Sequence, residues 1–368
     1  MLQGFSLQQR RDRSPGDNVT TRTSPPDESR KLNLGDVAAR CGVSPSTVSR
    51  ALARPDLVRQ ETRERVLAAA RTLGYVVNGS ARALARRSTG SVGAVIPRFG
   101  TSSFAATVQA LEATLAEAGL TLLLSAPEHD LSREPVIVRT MLERGVDALA
   151  LLGAEHAEET YSLLHRHGTP HVLLWARENT AAAPAVGFDD GAAGDLIVSH
   201  LHDLGHDRLG FISGEMRGNE RARRRFEGTM QAMSRRGITL CTDAFIETPY
   251  SFGQGFEAMR TIIRRQSRAT AIICGNDYLA TGALAACHEH GVRVPERLSV
   301  ASYNDNEFAA YLEPPLTTVR LPIEEIGRAG ARYLVDRLQG RDPSPPEALG
   351  IEMVIRRSTG PAPTISRN

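Results

Sequence analysis

Polar and apolar positions follow two different rhythms along this chain, and the change falls near residue 90. Between residues 31 and 75 apolar positions recur at helical spacing, punctuated by residues that start and stop helices. Asn33 precedes Leu34 and Asp36 follows three positions on, which predicts a capped helix start. Gly42 predicts the stop, because glycine takes the left-handed backbone of a tight exit without strain. Ser44 and Pro45 predict the next start, a hydroxyl cap followed by a residue whose missing N–H costs nothing in a first turn. Leu34, Val37, Val43, Val48 and Leu52, with small Ala38 and Ala39 between the helices, predict a compact helix-turn-helix. Val66, Ala69, Ala70 and Leu73 place a third helix against it.

Beyond residue 91 the rhythm becomes short apolar runs separated by amphipathic stretches. The runs are 92–96, 120–124, 148–152, 172–174, 209–212, 271–274 and 300–302. Between the first two, Val108, Leu111, Leu115 and Ala118 share one helical face. This alternation predicts parallel sheets covered by helices on both sides. About 270 residues is long for one such sheet, so two subdomains are expected. The predicted class is α/β with an all-α N-terminal head. Its divisions are a disordered extension 1–30, a helix-turn-helix domain 31–76, a connector 77–90, a two-subdomain core 91–360 and a tail 361–368.

Charge sharpens this division. Residues 31–90 carry eleven basic groups against four acidic ones, whereas 91–368 is net −6 within a chain of net charge +2. A basic module on a mildly acidic body suits a polyanion contacted by one end. The polar face of the second helix (Ser46, Thr47, Ser49, Arg50) carries mostly short side chains that approach base edges and phosphates closely.

Other chemistries find little support. The chain has a single lysine, Lys31, which excludes a phosphate-loop lysine or a catalytic lysine in the body. Its four cysteines are scattered without a CxxC pair, which fits reduced thiols. His200, His202 and His206 do not have a standard metal spacing, and no nucleophile elbow or dinucleotide glycine motif occurs. An enzyme and a cofactor are therefore not expected. No apolar run approaches the length of a membrane span and the N-terminus lacks a signal-peptide core, so a cytoplasmic protein without a membrane partner is expected. An exported sugar-binding protein, the main rival, would have no use for a basic head.

LGDVAARCGVSPSTVSRAL and the following ETRERVLAAARTLGY resemble the head of the lactose-repressor/galactose-repressor (LacI/GalR) family of bacterial regulators. NGSARALA is similar to that family's hinge helix, and the resemblance continues through VGFDDGAAG, HLHDLGHDRLGFISG, CGNDYLATGAL, LSVASYND and PPLTTVR. It spans roughly residues 32–360. It implies a homodimeric transcriptional repressor on a pseudo-palindromic operator, with a core like periplasmic sugar-binding proteins and a small-molecule effector, a sugar or sugar derivative, between the subdomains. The end of the chain, PAPTISRN, carries no leucine heptad, which favours a dimer over a tetramer.

The resemblance also distributes roles. Pro45, Ser46 and Arg50 fall where relatives read bases, and Asn33, Thr47, Ser49 and Thr62 where they touch phosphates; Ser44 joins this DNA-binding set. Asn78 and Ala81 match residues facing the minor groove, and Leu84 matches a leucine wedged into the central base step. Val77 replaces the usual hinge proline, and Arg59 replaces a small polar cap. For the effector, Arg225 matches an arginine that grips sugar hydroxyls, and Asn276 and Asn304 match further polar contacts. Tyr250 matches a stacking aromatic, and Ser103 and Phe104 lie near the first ligand loop. Trp175, the only tryptophan, stands where many relatives carry a ligand-binding aspartate.

Overall fold

The structure is a computed structural model that describes residues 32–54, 57–76, 88–99, 102–128, 130–177, 183–344 and 348–363. The N-terminal extension and connector residues 77–87 lie outside the described residues, and with them Asn78, Ala81 and Leu84. The chain divides into two compact units, 1–78 and 79–368.

In the first unit, three helices enclose a small core: α1 (Leu34–Cys41), α2 (Pro45–Ala53) and α3 (Gln60–Leu73). The Asn33 side chain accepts from the backbone N–H of Gly35 and Asp36, and the Asp36 carboxylate accepts from the Asn33 N–H at 2.8 Å. This reciprocal pair satisfies donors that a helix start otherwise leaves open. Gly42 ends α1 at φ 66°, and the Ser44 hydroxyl accepts from the Thr47 N–H to start α2. Arg59 supplies no side-chain cap to α3, in keeping with its departure from the family pattern. Val37, Val48 and Val66 are fully buried among Ala38, Ala51, Ala69 and Ala70, whose small side chains let the helices approach closely. Each such valine contributes roughly 1.5–3 kcal/mol.

The second unit contains two sheets. The first is all parallel, in the order β2-β1-β3-β4-β5, from β1 (Ser91–Val95), β2 (Thr121–Ser125), β3 (Ala148–Leu152), β4 (His171–Leu174) and β5 (Ala185–Val186). The second comprises β6 (Arg208–Gly214), β7 (Thr239–Thr248), β8 (Ala271–Cys274), β9 (Ser299–Asn304), β10 (Thr317–Arg320) and β11 (Glu352–Val354). Its order is β11-β10-β9-β8-β6-β7, with only β11 antiparallel. Setting aside β11, the second sheet repeats the strand order of the first. Each therefore reverses direction between its first and third strands, opening a crevice at the carboxyl ends there.

Helices α4 (Ser102–Glu117), α5 (Glu134–Glu143) and α6 (Glu158–His167) accompany the first sheet. Helices α7 (Asp190–Asp203), α8 (Glu220–Arg235), α9 (Phe252–Arg264) and α10 (Asp277–Glu289) accompany the second. The chain then crosses back, and α11 (Ile323–Leu338) packs on α4 and β4 of the first subdomain. Gly327 makes that contact possible, since a Cβ there would lie 2.2 Å from the Thr107 carbonyl oxygen. Burial alternates along β3: Leu149 and Leu151 pack with Val138, Met141 and Leu164, while Ala148, Ala150 and Leu152 join Leu111, Leu115, Ala331 and Leu334. A strand buried on both faces reads as a continuous apolar run, and this is why the pattern was visible in sequence.

All seven apolar runs are strands. The sequence pattern did not show β5, β7, β10 or β11, which are short, polar or at a sheet edge. Ala118, expected on the buried face of α4, is exposed and lies just past the helix end. His206 is fully buried, bonding Thr270 Oγ1 at 2.9 Å and the Gly360 carbonyl at 3.0 Å, while Ala362 N–H donates to Leu204 O. These bonds hold residues 360–362 against the second subdomain.

Candidate functional site

Two surfaces carry the residues singled out above. On the head, Pro45, Ser46, Ser49 and Arg50 are exposed, and positions 46, 49 and 50 share one face of α2. Asn33 is exposed at the start of α1, whereas Thr47 and Thr62 are half-buried. The Ser44 hydroxyl lies 2.8 Å from the hydroxyls of both Ser46 and Thr47, so the α2 cap also fixes the first polar groups of the exposed face. Opposite, Arg65 donates to the Cys41 carbonyl at 2.9 Å and ties α3 to the end of α1. The result is an exposed polar face on α2 that carries Ser46, Ser49 and the Arg50 guanidinium.

The second surface is a cleft of about 140 Å³ between the two sheets of the core, and all seven expected effector residues line it. All but Arg225 lie at the carboxyl end of a parallel strand or on the segment that follows it. Ser103 and Phe104 open α4 after β1, Trp175 follows β4, and Tyr250 follows β7; Asn276 follows β8, and Asn304 ends β9. Arg225 reaches the cleft from α8, the helix after β6.

Arg225 is held rigidly. Its Nε and Nη2 donate to Asp190 Oδ1 at 3.1 and 3.0 Å, its Nη1 donates to the Gly275 carbonyl at 2.6 Å, and its guanidinium lies 4.6 Å from the Tyr303 ring centre. Burial is the largest single influence and opposes its charge, but the Asp190 carboxylate together with the Tyr250 and Tyr303 hydroxyls outweighs that cost, so the guanidinium is held above its ordinary pKa. Asp190 is the first residue of α7, where the helix dipole also favours a negative charge.

The amides are committed in part. Asn276 caps α10, its Oδ1 accepting from the Leu279 N–H at 3.0 Å, so its Nδ2 is the group left for a ligand. Asn304 Nδ2 donates to Ser103 Oγ at 3.1 Å, and Ser103 Oγ donates to Asn306 Oδ1, a link from the first subdomain to the second. Asn304 Oδ1 is left buried without a partner, in a residue 7% exposed. An orphan acceptor in a cleft wall is suited to a ligand hydroxyl.

Trp175 donates its indole N–H to Thr107 Oγ1 at 3.0 Å, so only its apolar ring surface is available. The ring meets Phe104 and Phe188 edge-on, with centres 5.4 and 5.8 Å apart. Its φ of 61° is a left-handed conformation that costs a bulky residue on the order of 1–3 kcal/mol, so the surrounding packing must hold it there. Tyr250 lies against Gly214, where any Cβ would strike its ring.

Sequence reasoning missed several lining residues, among them Arg98, Glu215, Arg217 and Arg221. One signal was present: Arg221 stands four positions before Arg225, on the same face of α8. The remaining arginines of that run point elsewhere, Arg223 pairing with Glu155 and Arg224 lying 3.7 Å from Glu220.

A three-helix head followed by paired parallel-sheet subdomains around a ligand-sized cleft defines a class, the bacterial DNA-binding regulator with a sensing core. Residues 33–78 match the bacterial regulatory proteins, lacI family, and 198–359 match the periplasmic binding protein-like domain. The chain is 34% identical to an HTH-type transcriptional regulator of Streptomyces lividans, over 90% of this chain and 97% of the relative. Among solved structures, the lac repressor dimer bound to operator and an anti-inducer superposes with a TM-score of 0.79 and 25% identity, over 90% of this chain and all of that one. A transcriptional regulator solved with cellobiose gives a TM-score of 0.65 and 28% identity, over 89% and 99%. The chain belongs to the LacI family of bacterial regulatory proteins and is a DNA-binding transcriptional repressor. These relatives are regulators rather than enzymes, and no helix among the described residues is long and apolar enough to cross a membrane.

Proposed function

We propose that this repressor's affinity for its operator is set by a small polyhydroxylated effector, a sugar or sugar derivative, bound in the cleft between the core subdomains. The observation that carries this reading is the convergence of seven residues, drawn from distant parts of the chain, on one cleft with an orphan acceptor at Asn304. The apolar rings of Trp175 and Phe104 beside amide and guanidinium groups suit a molecule with one apolar face and a rim of hydroxyls. The solved relative with cellobiose supports the same chemistry.

A homodimer, the assembly named for the related lac repressor, places one head on each half of a pseudo-palindromic site. Pro45, Ser46 and Arg50 read bases, while Asn33, Ser44, Thr47, Ser49 and Thr62 hold the backbone. Residues 77–90 form the hinge, with Leu84 as its wedge and Asn78 and Ala81 in the minor groove. Effector binding alters the Ser103–Asn304 and Ser103–Asn306 links between subdomains. That alteration biases the hinge and changes operator affinity, reciprocally by linkage.

The test is a gel shift of the full chain on its gene's own upstream DNA, with and without ligands found by a calorimetric carbohydrate screen. A discrete complex whose midpoint moves about fivefold or more with ligand is expected. A bound ligand that leaves the midpoint unchanged overturns the allosteric reading.

A further inference from the structure

We propose that the effector is an anion, a polyhydroxylated molecule bearing a carboxylate or phosphate that Arg98 and Arg221 receive. This rests on reading the cleft as the effector site and concerns only the chemical class of its occupant. Four guanidinium groups line the cleft, from Arg98, Arg217, Arg221 and Arg225, against one acidic lining residue, Glu215. The compensations are unequal. Arg225 is neutralised by Asp190 at 3.0 Å, and Glu215 offsets one further charge in the count. Arg98, Arg217 and Arg221 form no ion pair among the described residues, although Arg223 and Arg224, beside Arg221, do; Arg217 is exposed, like Glu215, whereas Arg98 and Arg221 are half-buried. Two positive charges are therefore in excess in the lining.

Both excess groups show the cost. Arg98 Nε is buried without a hydrogen-bond partner. Arg221 lies under the Phe104 ring, 5.6 Å from its centre, and burial pushes its guanidinium below the ordinary value despite nearby Glu220 and Asp190. A partly buried charge without an ion-pair partner is expensive even where a ring face offsets part of the cost, as Phe104 does for Arg221, and an entering anion relieves it through charge-assisted bonds to planar guanidinium forks. A neutral sugar accepts hydrogen bonds from these groups but brings no counter-charge to either. The orphan Asn304 acceptor calls for a hydroxyl on the same molecule. The cleft volume of about 140 Å³ suits a small metabolite.

Calorimetry on the full chain separates the possibilities, using three matched series: neutral hexoses, their aldonic and uronic acids, and their 6-phosphates. A member of one acidic series is expected to bind about tenfold or more tightly than its neutral parent, and the series that does so identifies the anion. Raising salt should weaken that binding, and R98Q or R221Q should each cut the preference to about threefold or less. The wild-type comparison needs no variant, so a misfolded mutant does not remove the test, and the two arginines lie on different elements. Neutral parents binding as tightly as their acids would overturn the anion while preserving the effector cleft. Binding by no member of any series would overturn the polyhydroxylated effector as well.

Discussion

Removing Arg225 tests the energetics of the core and the ligand role together. In Arg225→Ala, the Asp190 carboxylate, 6% exposed, loses two charge-assisted hydrogen bonds, and the Gly275 carbonyl loses its donor at 2.6 Å. Stripping one partner from a buried ion pair costs about 3–5 kcal/mol, most of it from the charge left behind. The cation–π contact with Tyr303 at 4.6 Å adds up to about 2 kcal/mol. We take about 4 kcal/mol, a large share of a typical net stability of roughly 5–15 kcal/mol. With a urea dependence of about 3 kcal/mol per molar, the unfolding midpoint should fall by about 1.3 M. Trp175, the only tryptophan and 4% exposed, reports this transition from within the same core. The pair logic also predicts that Arg225→Met with Asp190→Asn recovers about half of the loss, because no bare charge remains. A single-mutant midpoint within about 0.3 M of wild type would refute the account, as would a double mutant no more stable than Arg225→Ala. Effector binding, by contrast, should be lost in both variants.

Three further outcomes follow from local geometry. Burial holds the His206 imidazole below its ordinary 6.5, so its contribution to stability is complete above that pH and is lost as pH falls through the depressed folded value. Melting temperature should therefore drop below pH 6.5 more steeply in wild type than in His206→Gln; parallel curves would rule this out. Gly327→Ala drives a Cβ to 2.2 Å from the Thr107 carbonyl and should cost about 1–3 kcal/mol while shifting Trp175 emission, since Thr107 anchors its indole. A wild-type urea midpoint in that variant would show that α11 yields freely. Asn33→Ala removes the α1 capping pair and should lower the head's calorimetric transition by an amount equivalent to about 1 kcal/mol. An unmoved transition would mean that the cap contributes nothing to the head.

The helix-turn-helix was legible because its determinants are local. Asn33 with Asp36, Gly42, and Ser44 with Pro45 each act within four residues, and the structure uses each as the spacing predicted. The core strands were equally plain where both faces are buried, since β3 and β8 are apolar throughout. Strand β7 escaped notice because its sequence, TLCTDAFIET, lies at a sheet edge where only Ala244 and Thr248 are buried, so it carries no continuous apolar run. The family motifs further indicated which residues meet in the cleft.

Only tertiary structure decided what those residues are free to do there. Asp190 and Arg225 are 35 positions apart, and no local pattern shows that one neutralises the other. Thr107 is 68 positions from Trp175, yet it takes the indole N–H and leaves an apolar wall. Ser103, 201 positions from Asn304, takes the amide nitrogen and strands the oxygen. The arginine excess has the same origin: Arg98, Arg217 and Arg221 belong to segments that read as ordinary polar loops and a solvated helix face. Strand ends from two repeated sheets bring them to one crevice, where low dielectric turns an unremarkable composition into a demand for a counter-charge. Sequence set the elements because helix caps and strand burial act over a few residues; the cleft's chemistry depends on pairings that exist only after distant strands are packed side by side.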